Sequence, residues 1–231
     1  MKNLVTKNNT KLSLNKSKSM IGLTSKILAK RENNLPKVSY EWISEIWLWA
    51  DKNNIPTRKL PRDREELLNI TELTLDGCRL VKLPKEIGKL THLTKLILYN
   101  NMLSELPKEI GDLKNLSILG LGFNNLKTLP KEIGKLTNLT RLYLKENSLV
   151  ELPKEIGKLT RLTELNLANN ELVELPKEIG DITHLRWLDL SGNNMAKLPE
   201  AIGELDDLTW LNFSNNTNFA IENKQTAKLT Q

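Results

Sequence analysis

From Ile70 onward the apolar residues keep a fixed beat. The frame LxxLxLxxN reads Leu93, Leu96, Leu98, Asn101 and returns after 23 residues as Leu116, Leu119, Leu121, Asn124. It continues with Leu139, Leu142, Leu144, Asn147, then Leu162, Leu165, Leu167, Asn170, then Leu185, Leu188, Leu190, Asn193. A first copy (Ile70, Leu73, Leu75, Cys78) and a last (Leu208, Leu211, Phe213, Asn216) deviate slightly, giving seven copies between Ile70 and about Ile221. Leucines at the fourth and sixth positions follow a strand period, with both side chains on one face. Between the frames runs a return, from Leu83-Pro84 with Ile87-Gly88 to Leu198-Pro199 with Ile202-Gly203. A Pro that opens it and a Gly that closes it predict a short helical or 3₁₀ turn. One unit cannot bury its leucines alone, so stacked units with a parallel sheet along one side are expected. Asn at each strand exit has the donors and the acceptor for a buried polar ladder, with Cys78 taking its place in the first copy.

Before the repeats the pattern changes. Val38 to Lys52 predicts a helix with Ser39 as N-cap and Trp42, Ile46 and Trp49 at helical steps. Asn53 to Pro56 ends it, and a second helix should start at Asp63, with Glu66 completing a capping box. The two cover the leucine core of the first repeat. Trp42, Trp47 and Trp49 belong to that packing, with one of the three left exposed because they cannot share a face. The chain therefore reads as a basic disordered arm (1–36), a helical cap (37–69), seven repeats (70–221) and a polar tail (222–231). Met20, Leu23 and Ile27 give the arm a weak amphipathic spacing. Phe219 and Ile221 are expected to fold over the last core.

The repeat resembles the leucine-rich repeat family over about two thirds of the chain. The LPxxIGxL return is similar to the 23-residue class of Ras-suppressor-like proteins, plant intracellular Ras-group proteins and bacterial effectors. The resemblance implies an α/β leucine-rich repeat solenoid with a parallel concave sheet. Its convex side would carry short helical or 3₁₀ turns, and its concave sheet would bind other proteins. A small GTPase or a ubiquitin-system component is the partner class suggested by those relatives.

Charge alters the picture once its distribution is considered. The formal net charge of +6 at pH 7 suggests nucleic acid at first sight. Yet Met1 to Arg31 holds seven Lys and one Arg with no acid, which leaves 26 basic residues against 28 acidic ones elsewhere. The repeats are close to neutral, and no nucleic-acid partner is expected. A single Cys points to a reducing compartment, and neither a membrane span nor a classical secretory signal is apparent. The expected location is cytoplasmic, or a host cytosol reached by a non-classical route. Weak membrane contact is assigned to 1–31, and a monomer is expected.

The repeat also shows where to look for function, because residues in one column share one structural task. Third, fifth and seventh positions of each frame face away from the leucines. These columns and the eighth collect aromatics that packing does not require. One cluster comprises Lys95, Ile97, Tyr99, Ile118, Phe123, Arg141, Tyr143 and Lys145. A second comprises Trp187, Asp189, Trp210 and Asn212. Interfaces favour such aromatic and Arg anchors, whereas the repeated Lys-Glu pairs of the return read as a solvated face.

Catalysis is not expected. His92 and His184 lie four repeats apart, roughly 20 Å at the strand spacing, and Cys78 has no histidine placed to activate it. No metal or cofactor motif occurs, and no catalytic domain is expected after Ile221. The reading is a protein-interaction module, a bacterial effector in a host cytosol. The alternative is a scaffold docked on membrane through its basic arm.

Overall fold

Seven strands of three residues each follow the frame. They are β1 (Glu72–Thr74), β2 (Lys95–Ile97), β3 (Ile118–Gly120), β4 (Arg141–Tyr143), β5 (Glu164–Asn166), β6 (Trp187–Asp189) and β7 (Trp210–Asn212). The computed structural model describes residues 40–217, so Ser39, the 1–36 arm, Phe219, Ile221 and the 222–231 tail lie outside the described residues. The chain divides into two units, Met1–Glu41 and Trp42–Gln231, and the repeats belong to the second.

The strands form one parallel sheet in chain order, each in register with its counterpart in the next repeat. Thus Glu72 faces Lys95, and Trp187 faces Trp210. The register is fixed by the leucines, since a slip of one residue would turn them to solvent. Leu96, Leu98, Leu119, Leu121, Leu142 and Leu144 are all fully buried.

The Asn column ties this sheet to its neighbours. Asn124 Oδ1 accepts the Leu103 N–H at 3.0 Å, while Nδ2 donates to the carbonyls of Leu98, Leu121 and Gly122 at 2.9, 2.9 and 3.2 Å. Asn101, Asn147, Asn170 and Asn193 repeat the arrangement. Each amide bonds its own repeat and the one before, so the polar groups that turn the chain out of the sheet are satisfied without water. Cys78 has no amide to offer. Lys59 Nζ reaches in from the cap instead, donating to the Asp76 carbonyl at 2.7 Å and lying 3.4 Å from the Cys78 sulfur. The cap thus supplies the first rung of the ladder.

The returns are six 3₁₀ turns of five residues, from Lys85–Lys89 to Glu200–Glu204. The ring of each leading Pro presets the extended entry, with φ between −73° at Pro84 and −59° at Pro199. The glycines do not close these turns as expected. They lie inside them, and the reason for Gly is space. A Cβ on Gly88, Gly111, Gly134 or Gly157 would fall against the Glu carbonyl of the following turn. Gly203, in the last turn, has nothing within 4 Å of that position among the described residues.

The cap helix α1 (Glu41–Lys52) buries Ile43, Ile46 and Ala50 rather than the expected Trp42–Ile46–Trp49 stripe. All three tryptophans are half-buried at the rim. Trp47 Nε1 donates to the Pro61 carbonyl at 2.9 Å and Trp49 Nε1 to the Lys82 carbonyl at 3.1 Å. An indole needs a partner for its N–H, which favours a rim over an apolar interior. The residue left exposed is Leu48, not a tryptophan. Helix α2 (Arg64–Leu68) starts as predicted, with Asp63 Oδ1 accepting the Glu66 N–H at 2.9 Å.

Candidate binding face of the sheet

Two features of the backbone shape the face opposite the leucines. The strands are short, and each is left through a residue in the left-handed conformation. That eighth column is Gly77, Asn100, Phe123, Glu146, Asn169, Gly192 and Asn215, with φ between 54° and 66°. Gly and Asn tolerate this region, but a side chain such as Phe does so at a cost of about 1–2 kcal/mol. Phe123 is nonetheless there, with 46 % of its surface exposed.

Around Phe123 the expected first cluster assembles. The third repeat contributes Gly120 and Gly122, and the Tyr99 ring lies over both. A Cβ at Gly120 would come within 2.9 Å of Tyr99 Cζ, and one at Gly122 within 3.1 Å of Tyr99 Cδ1. Tyr99 and Tyr143 therefore meet across the third strand, with ring centroids 6.5 Å apart and planes tilted by 43°. Lys145 Nζ stands 5.7 Å from the Phe123 centroid, in cation–π range. Tyr143 donates its hydroxyl to Glu164 Oε2 at 2.6 Å, and Arg141 Nε lies 3.4 Å from Glu164 Oε1. Lys95 pairs with Glu72 at 3.3 Å. Ile118 is half-buried, whereas Ile97, expected as a contact residue, is only 9 % exposed, with its Cδ1 against Gly120 of the next strand.

Burial pushes the Tyr99 phenol up to about 12, helped by the Asp76 charge. Tyr143 is also pushed up to about 12, first by burial and then by its hydrogen bond to Glu164. Both rings are thus neutral hydrogen-bonding groups throughout the physiological range.

The second cluster is tighter. Trp187 and Trp210 stack with centroids 4.4 Å apart and planes within 3°. Asp189 and Asn212 flank them, each with its Oδ1 bonded within its own strand exit. Asp189 Oδ1 accepts from the Ser191 N–H and hydroxyl at 3.0 and 2.6 Å, and Asn212 Oδ1 accepts from those of Ser214 at 3.1 and 2.8 Å. Between the clusters opens a groove of about 460 Å³, lined by Tyr143, Thr163, Glu164, Arg186 and Trp187. Thr163, Glu164 and Arg186 were not among the expected contacts. Arg186 had a signal in the sequence, for it interrupts a column otherwise made of Thr and Ser.

His184 is exposed and bonds Asp207 at 3.1 Å, a surface contact. Among the described residues no group of three or more His, Cys, Asp or Glu could hold a metal ion.

Family comparison matches a leucine-rich repeat region over residues 69–171 and the leucine rich repeat over residues 160–217. The repeats are leucine-rich repeats. Solved leucine-rich repeat structures agree. A leucine-rich repeat protein of Leptospira interrogans is 38 % identical with a TM-score of 0.58, over 74 % of this chain and 49 % of that one. The plant peptide hormone receptor RGFR1, in complex with RGF2, is also 38 % identical with a TM-score of 0.58, over 64 % of this chain and 25 % of the receptor. The chain thus spans half or less of the length of these leucine-rich repeat proteins. Comparison with curated proteins finds no match.

Proposed function

We propose that this chain is a protein-interaction module whose sheet face, opposite the leucine core, binds a partner protein. Phe123 carries the reading: an exposed aromatic held in a left-handed backbone position is disfavoured by local energetics. The tyrosines beside it and the stacked tryptophans add the aromatic surface from which interface anchors are drawn. The plant receptor, a protein of similar repeats, is solved in complex with its peptide hormone.

The finer reading is a bacterial effector acting in a host cytosol on a small GTPase or a ubiquitin-system protein. It rests on the LPxxIGxL returns, which resemble those of Ras-suppressor-like and effector proteins. A scaffold docked on anionic membrane is the second reading, favoured by the eight basic and no acidic residues of Met1 to Arg31.

The double substitution Arg141→Glu with Tyr143→Ala tests the binding face. Arg141 is exposed and Tyr143 half-buried, with neither in the leucine core, so the variant should remain folded by thermal unfolding while partners retained by the wild type from host-cell lysate are lost. Unchanged retention by a stably folded double variant rules the face out.

A further inference from the structure

The second position of each frame forms a hydroxyl ladder. Thr94, Ser117, Thr140, Thr163 and Thr209 each donate a side-chain hydroxyl to the carbonyl one repeat back, at 2.9 to 3.1 Å. Arg186 breaks the series. It keeps the backbone bond to the Thr163 carbonyl at 2.9 Å but has no hydroxyl to give. Its side chain is exposed and lines the groove between the two aromatic clusters. Among the described residues its guanidinium has neither an ion pair nor a hydrogen bond, although neighbouring frames carry several acids.

Those acids are already engaged. Glu164 accepts from Tyr143 and pairs with Arg141, Asp189 is held by Ser191, and Asp207 by His184. What the groove has left to offer is positive charge. Its walls, Tyr143 and Trp187, stand two strands apart, about 10 Å at the strand spacing. That width admits one extended segment between aromatic faces.

We infer that Arg186 receives a carboxylate from an extended acidic segment of the partner protein, while Tyr143 and Trp187 contact the apolar side chains flanking it. The assignment rests on the proposed binding face and specifies the chemistry of what binds there. A planar guanidinium suits a carboxylate, because two parallel N–H groups meet two oxygens.

A displayed library of random peptides, selected on the full chain, supplies the probe. Recovered peptides should be enriched in Asp or Glu beside an aromatic or aliphatic residue. A synthetic representative should bind Arg186→Glu at least about tenfold more weakly, the loss of one charge-assisted hydrogen bond. Replacing its acid by Lys should restore binding to that variant. Arg186→Thr returns the missing rung, so it should unfold no earlier than the wild type and yet lose the peptide. Peptides without acid enrichment, an empty selection, or equal affinity for Arg186→Thr overturn the inference. If Tyr143→Ala and Trp187→Ala abolish binding while Arg186→Thr does not, the face stands and the carboxylate contact falls. If none of these substitutions matters, both fall.

Discussion

Phe123 occupies a conformation that five of the six other residues in its column leave to Gly or Asn. Substituting Phe123→Asn should therefore raise stability, by up to about 1 kcal/mol in a denaturant titration. Affinity for a partner should fall at the same time. A variant that is less stable, or that binds as before, would show that the ring serves packing. The tyrosines allow a second check. Their folded values of about 12 lie above the ordinary phenol value of 10. The contribution is therefore intact up to about pH 10 and lost between about pH 10 and 12, as the unfolded chain releases its protons first. Denaturant midpoints followed over that range should decline less steeply for Tyr143→Phe than for the wild type. The column of left-handed residues was open to reading, since Gly77, Asn100, Asn169, Gly192 and Asn215 share it. The strand period alone does not reveal it, because that period places side chains on faces and says nothing of φ. The engagement of Glu164 by Tyr143 and Arg141 was not legible in the same way, for it depends on rotamers across two strands.

The 3₁₀ turns hold glycines in two different environments. At Gly134 an added Cβ meets the Glu155 carbonyl, whereas at Gly203 it meets no atom of the described residues within 4 Å. Gly134→Ala should destabilise by about 1–3 kcal/mol through overpacking, and Gly203→Ala should be neutral or slightly stabilising. Paired thermal melts decide between them, and equal shifts would refute the spacing role. Strand register, turn class and Asn ladder all follow from a sequence whose frame is unbroken, because each copy restates the same constraints. The cap occurs once, so nothing else in the chain restates which of its faces is buried. Burial there went to Ile43, Ile46 and Ala50, which fit an apolar interface without polar atoms.

For the whole chain, charge is divided between a basic first stretch and repeats near neutrality. If the membrane reading holds, the full chain should co-sediment with phosphatidylserine vesicles at low salt and be released as salt rises, at about 1 kcal/mol for each basic residue near the surface. Charge reversal of several lysines between Lys2 and Lys30 should abolish this. Salt-insensitive or absent binding would leave the sheet face as the sole candidate surface.

The in-register pairing of equivalent residues, from Glu72 with Lys95 to Trp187 with Trp210, also makes the sheet a ruler. Its graduations are about 4.8 Å, one strand each. Deleting or duplicating 23 residues between matched asparagines, such as Asn147 and Asn170, would keep every ladder bond type. It would also slide the tryptophan pair toward or away from the Tyr99–Tyr143 pair by one graduation. A target that grips both clusters is therefore read at a fixed length, and descendants that gain or lose a unit would measure out a different one.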